Sequence, residues 1–248
     1  MATIGRYGPC AEIHNILAPA FQPCHQFEGV CKATARWDPD SGYVPRGFIG
    51  AWRELSEVEL VLVCAEPGNP QIGEHYNGLD SSPDRIEFLS RSIVHYLQPP
   101  VDLIQKNQRK ILDMCWPGME LSQQLRRAWI TNSYLCSAPK ESGDVPVACT
   151  RACSGEYLLP QLQLLHDRAI VACGKKAKDR IKDLQKHRSL DIELLSPDPV
   201  TWPCRKQHEI EVVTVSALAA PGGNMPGASQ SWKCIPAYLE RSRRLRIG

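Results

Sequence analysis

Four largely apolar runs punctuate the chain, Val58 to Cys64, Trp129 to Asn132, Ala169 to Cys173 and Ile210 to Leu218. Strands apolar at most positions, without strict alternation, are buried on both faces, as in a parallel sheet covered by helices. Helix-spaced segments lie between them. The segment IEFLSRSIVHYL follows a Ser82-Pro83 start signal and stops before Pro99-Pro100. Further helices are predicted over Val101 to Met114, Leu121 to Arg127, Gly155 to His166 and Lys175 to Gln185. The alternation predicts an α/β protein, a three-layer α/β/α sandwich whose central, mainly parallel sheet has four or five strands. At 248 residues the chain reads as one domain, 1–248, with 1–50 an irregular N-terminal arm and no internal repeat.

In such a sheet the chemistry gathers at the carboxyl ends of the strands. The first apolar run leads straight into Glu66, where Pro67 and Gly68 turn the backbone and leave the carboxylate facing a crevice. A strand-end glutamate is equally often a solvated loop residue, so its neighbours matter. The same edge collects Asn132, Gly174 and Ser216. The loop from Ser216 to Ser231, with Gly222, Gly223, Asn224 and Met225, reads by composition as a flexible surface loop. Aromatic candidates for the crevice are Tyr76 and His75 beside the turn and Phe48 in VPRGFIG.

Composition narrows the class. A net charge of +2 excludes a bulk nucleic-acid coat, although Arg241, Arg243, Arg244 and Arg246 form a basic C-terminal cluster. That cluster suits either phosphates or a solvated helix end, and Lys175 opens a second basic helix. The first twenty residues hold Arg6, Glu12 and His14 and no apolar export core, and no run approaches a membrane span, so a cytoplasmic protein is expected. Eleven cysteines are then reduced thiols or metal ligands instead of a disulfide framework. Cys64 and Cys173 read as packed small hydrophobes, and Cys10, Cys115, Cys204 and Cys234 lack partners at ligand spacing. Cys24 with Cys31, and Cys136 with Cys153, form local pairs of the kind that hold cubane clusters or structural zinc. Cys149 is the competing fourth ligand. The seven histidines show no His-Glu-x-x-His or other catalytic zinc pattern.

Across roughly Pro45 to Val215, the order of Thr131-Asn132, Cys136, Pro139, Cys153, the following helix and AIVACG resembles the uracil-DNA glycosylase superfamily, in its iron-sulfur branch with the family 4 enzymes. The resemblance implies that superfamily's fold and a monofunctional glycosylase that extrudes a pyrimidine from DNA and hydrolyses its N-glycosidic bond. It favours a structural [4Fe-4S] cluster on Cys24, Cys31, Cys136 and Cys153, with zinc as the alternative. Sixteen residues separate Cys136 from Cys153, near the spacing of that branch, whereas Cys149 leaves twelve. It also implies a base pocket from Pro67, Gly68, Gln71, Tyr76 and Phe48, catalytic roles for Glu66, Asn132 and Ser216, and DNA contacts from Gly222, Gly223, Asn224, Met225, Lys175 and Arg243, with Met225 or Leu218 as an apolar wedge in the minor groove. DNA is the expected partner of a monomer, with no membrane and no nucleotide cofactor.

The departures shape the expected substrate. Six residues part Cys24 from Cys31 instead of two, and Ala65 stands where family 4 places its acidic residue, with Glu66 one position later. Ser216-Ala217-Leu218 replaces the usual His-Pro-Ser, which removes the histidine that stabilises a departing uracil anion. Gly68 and Gln71 stand at the positions that exclude C5-substituted pyrimidines, so the gate is altered. These changes tilt the expectation towards a C5-modified cytosine of phage DNA, excised in defence, with uracil excision repair as the alternative. A non-catalytic, metal-containing DNA-binding module is the reading from another class.

Overall fold

A computed structural model describes residues 7–70, 73–79, 81–100, 102–138, 143–188, 190–203, 209–219 and 222–247. Its single sheet has six strands, β1 (Ile49–Gly50), β2 (Leu60–Cys64), β3 (Ala128–Asn132), β4 (Ala169–Cys173), β5 (Ile192–Leu195) and β6 (Ile210–Val215), in the order β1-β3-β2-β4-β6-β5. All neighbours are parallel except β1 on β3. The sheet thus exceeds the four or five strands expected. The two extra strands lie at its edges, where β1 is two residues long and β5 carries half-buried Glu193, so neither announces itself as an apolar run.

Helices cover both faces. The described residues contain α1 (Ala11–Leu17), α2 (Ser82–Leu97), α3 (Leu103–Cys115), α4 (Leu121–Arg127), α5 (Val147–Cys153), α6 (Leu159–Leu164), α7 (Lys175–Arg188), α8 (Ala228–Trp232) and α9 (Ile235–Ile247). Alternate strand residues feed two separate cores. Val61, Val63, Trp129, Ile170, Ala172 and Val212 pack with residues of α1, α5, α6 and α7. Leu60, Leu62, Ile130, Val171, Val213 and Val215 pack with α3, α4, α8 and α9 on the other side. The N-terminal arm is more ordered than its composition suggested. Its helix α1 buries Ile13 and Leu17 in the first core, with Phe21 beneath it.

Several boundaries move for local reasons. Ser81, not Ser82, caps α2 by accepting from Asp84 N, and Asp102 with Gln105 forms a capping box on α3. The helix expected from Gly155 begins at Val147 and widens into a π-helical stretch, Ser154–Leu158, before α6. Pro160 lacks the N–H that a regular turn would need there, so the backbone accommodates it by widening. Cys153 consequently sits at the end of α5, not at a helix start.

The chain passes from β2 to β3 on one side and later to β4 on the other, so connections diverge between β2 and β4. That divergence opens the crevice at the carboxyl ends. At the opposite, amino-terminal edge, Arg243 of α9 pairs with Glu59 at 2.7 Å, joined by Arg127 at 3.3 Å and Arg246 at 3.9 Å. Arg241 likewise pairs with buried Glu211 at 2.5 Å. Burial works to raise the Glu59 pKa, but the Arg243 hydrogen bond and the three cationic charges outweigh it and lower it below 4.5. The stabilisation is therefore complete above the ordinary glutamate range and lost as pH falls through the lowered value. Glu59→Gln should cost about 1–3 kcal/mol at pH 7 in urea denaturation, with the gap to wild type closing as the medium is acidified below 4.5.

Candidate active site and cysteine centre

The register of β2 on β3 sets Cys64 beside Asn132, so the loops that follow leave the sheet together. Pairing continues past the strands, with Ser133 N donating to Cys64 O at 2.8 Å and Tyr134 N to Ala65 O at 3.0 Å. Glu66 follows immediately, and its side chain is only 11% exposed. Both carboxylate oxygens are engaged by α7: Lys176 Nζ lies 2.7 Å from Oε1 and Arg180 Nη2 lies 2.6 Å from Oε2. Arg180 also donates to Ala65 O at 2.6 Å and Ser133 Oγ at 3.0 Å. Two cations thus grip one carboxylate, and Lys176 also lies 3.9 Å from exposed Asp144. The helix carrying both cations was predicted, but their partnership with Glu66 was not visible in sequence, where they stand 110 and 114 positions further on.

Asn132 is 5% exposed and directed by the backbone opposite it. Its Nδ2 donates to Gly47 O at 3.0 Å and to Arg46 O at 3.4 Å, which turns Oδ1 away from those carbonyls as an acceptor. Gly47 makes this approach possible. Its φ is +83°, and a Cβ there would stand 1.9 Å from Asn132 Nδ2.

The other expected pocket residues divide. Pro67 borders Gly47, and Gly68 lies open on one side while its carbonyl accepts from Ser137 Oγ at 2.8 Å. Gln71 lies outside the described residues, as do Pro139, Cys204 and Pro221. Phe48 and Tyr76 are corrected: neither offers a free ring face. Phe48 is wholly buried between Phe21 and Trp129, and Tyr76 is 2% exposed against Phe88 with its hydroxyl donating to Glu74 at 2.7 Å. Apolar rings placed between a strand and a helix are drawn into the core before they can line an opening.

Ser216 stands at the end of β6 with its backbone N–H donating to Ser231 Oγ at 3.0 Å and its carbonyl accepting from the Trp232 indole at 3.0 Å. These bonds fold the following loop back over the sheet edge. Gly222–Asn224 form a short 3-10 turn, where a Cβ on Gly223 would meet Leu218 O at 2.6 Å. Met225 is 63% exposed, whereas Leu218 is buried in the second core and does not project as a wedge. Lys175 points into solvent and pairs with Asp179 at 2.5 Å. Arg243 does not join the crevice, being held on Glu59 at the far edge.

Cys24, Cys31, Cys136 and Cys153 line one small cavity, together with Tyr134 and Tyr157. The N-terminal turns, the segment after β3 and the end of α5 bring the two sequence pairs together. Donors surround the sulfurs: Leu135 N–H lies 3.4 Å from Cys153 Sγ, Tyr157 Oη 3.1 Å from Cys24 Sγ, and buried Tyr134 Oη near Cys31 makes no conventional hydrogen bond. Burial and mutual repulsion push the Cys31 and Cys153 thiols to about 12 and Cys136 well above its usual value. Thiols so placed do not ionise unaided, and a bound cation would reverse the preference. Cys149 is not among the lining residues but stands beside Cys31, its thiol donating to Val30 O at 3.1 Å.

Among the described residues, Cys24, His25 and Glu156 are the group whose ligand atoms all lie within 4.8 Å of one another. His25 and Glu156 escaped the sequence reading, although adjacency to Cys24 and an i,i+3 position after Cys153 on one helical stretch could have signalled them. Cys64 and Cys173 are neighbours on β2 and β4 at the crevice floor, packed in the second core. No protein-family model matches the chain, and no curated protein matches it.

Two outcomes follow from this geometry. Gly47→Ala should destabilise the fold by about 1–3 kcal/mol, shifting the thermal midpoint downwards, because Asn132 must give way. Cys136→Ser and Cys153→Ser should each abolish metal retention measured by elemental mass spectrometry, whereas Cys149→Ser should leave it intact.

Proposed function

We propose that the chain is a monofunctional DNA glycosylase of the uracil-DNA glycosylase type, carrying a structural [4Fe-4S] cluster on Cys24, Cys31, Cys136 and Cys153. The observation that carries this reading is the convergence of Glu66 and Asn132 at the ends of adjacent strands, next to a cavity lined by four cysteines. The cysteine spacing supports a polynuclear group. A tetrahedral zinc with bonds of about 2.3 Å brings its sulfurs to about 3.8 Å, and no three of the four sulfurs are among the ligand atoms gathered within 4.8 Å. When bound, the cluster would cross-link the N-terminal arm, the segment after β3 and α5.

A base inside a duplex is out of reach, so the target nucleotide is extruded into the crevice and read on its Watson–Crick edge. Asn132, with its nitrogen held by two backbone carbonyls, presents an acceptor that suits the N–H of a pyrimidine ring or the amino group of a cytosine. Glu66 orients the attacking water and offsets positive charge developing on the sugar, while Lys176 and Arg180 keep the carboxylate aimed. Exposed Met225 is the wedge that fills the vacated stack. The altered gate around Gly68 favours a C5-modified cytosine, as in defence against foreign DNA, over plain uracil in base-excision repair.

One observation favours a second reading. Lys176 and Arg180 both stand beside Glu66 at the crevice, where their N–H donors suit a DNA phosphate. A non-catalytic DNA-binding module would use the same residues.

Mass spectrometry of bases released from uracil-containing DNA and from phage DNA with modified cytosine decides between them. Release of a free base that falls at least about a hundredfold in Glu66→Ala is expected, in line with loss of a positioned carboxylate. No release from either DNA, with binding retained, would leave only the binding module.

A further inference from the structure

We infer that Arg46 is a positioning residue that makes the loop after β2 follow the cysteine centre, an inference that rests on the centre proposed above. Its side chain is 6% exposed and its guanidinium reaches three partners. Nη1 pairs with Glu74 Oε2 at 2.9 Å, and Nη2 donates to Gly68 O and to Ser137 Oγ, the latter at 3.1 Å. Gly68 and Glu74 belong to the loop that follows Glu66. Ser137 directly follows Cys136 and donates its own hydrogen bond to Gly68 O at 2.8 Å. The backbone of Arg46 repeats the connection, its N–H donating to Leu135 O at 2.8 Å and its carbonyl accepting from Asn132 Nδ2.

One buried fork therefore spans the segment carrying Cys136 and two points of the crevice loop. Glu74 passes the constraint on, since its Oε1 accepts from Tyr76 at 2.7 Å. The loop cannot shift relative to Cys136 without breaking charge-assisted bonds inside the protein, which are costly to leave unmade. Arg46 also binds both chain neighbours of Cys136, Leu135 O through its backbone N–H and Ser137 Oγ through its guanidinium, which brings its charge to the segment that carries the sulfur. A cation beside a ligand thiolate favours the more negative state of the group that the thiolate holds, and so raises its reduction potential. A lysine supplies the charge but not the planar fork, so the two functions of Arg46 are separable.

The test compares full-length wild type, Arg46→Lys, Arg46→Met and Glu74→Gln, all purified without oxygen. Iron, acid-labile sulfide, midpoint potential and amide hydrogen exchange over residues 66–79 are measured on each. In Arg46→Met the potential should fall and loop exchange should rise about tenfold or more. Arg46→Lys should keep the potential near that of wild type while losing the loop protection. Should Arg46→Met not accumulate as folded protein, the Arg46→Lys split and a rise in loop exchange in Glu74→Gln carry the decision. Wild-type potential and wild-type loop exchange in iron-loaded Arg46 variants would overturn the role of Arg46 alone. Wild type without iron or sulfide would overturn the proposed centre and the coupling to it, leaving loop exchange to decide whether Arg46 holds the loop.

Discussion

Arg180 is the contact on which the carboxyl edge of this sheet depends. Reaching out of α7, it binds Ala65 O after β2, Ser133 Oγ after β3 and the Glu66 carboxylate between them. Ser133 itself donates to Ala65 O at 2.9 Å and its carbonyl accepts from Ser154 Oγ at 2.6 Å, which draws in the π-helical stretch. Two apolar cores fix the layers, but an apolar core has no means of fixing a loop that leaves the sheet. A buried guanidinium does, because each of its donors demands a partner at a set angle and an unmet one is expensive.

The same contact sets the local electrostatics. Lys176 and Arg180 hold Glu66 between them, and Lys176, being part exposed, also reaches Gly143 O at 2.9 Å and exposed Asp144 at 3.9 Å. A buried ion pair is not by itself evidence of stability, since desolvating three charges offsets much of their attraction. Its value here is geometric: both Glu66 oxygens are held, which gives the carboxylate one orientation. The C-terminal arginines, by contrast, spend their charge on Glu59 and Glu211 at the opposite edge and add nothing to the field at the crevice.

What the sequence disclosed follows from how far each signal reaches along the chain. Apolar periodicity is local, so the parallel strands β2, β3, β4 and β6 and the helices between them were legible, along with the edge that holds Glu66 and Asn132. The edge strands were not, because two residues of β1 and the mixed face of β5 carry too little pattern. Phe48 and Tyr76 were misplaced because aromatic residues near a turn read alike whether they line an opening or fill a core. Arg46 and Arg180 were silent for another reason. Their partners lie as many as 91 and 115 residues away, and no composition or spacing records such pairings.

The cysteines show both sides of this limit. Their pairing by loops was legible, and the fold brings Cys24, Cys31, Cys136 and Cys153 to one cavity. The choice between Cys149 and Cys153 turned in the sequence on spacing and on reading Cys149 as a loop residue, whereas both lie on α5, with Cys153 lining the cavity beside the Leu135 amide and Cys149 beside Cys31, its thiol on Val30 O. The widening at Ser154–Leu158 follows directly after Cys153 and places Glu156 beside His25 at 3.5 Å. A regular helix would turn those residues by a different angle, so an irregularity that a proline imposes on the backbone decides which side chains surround the sulfurs.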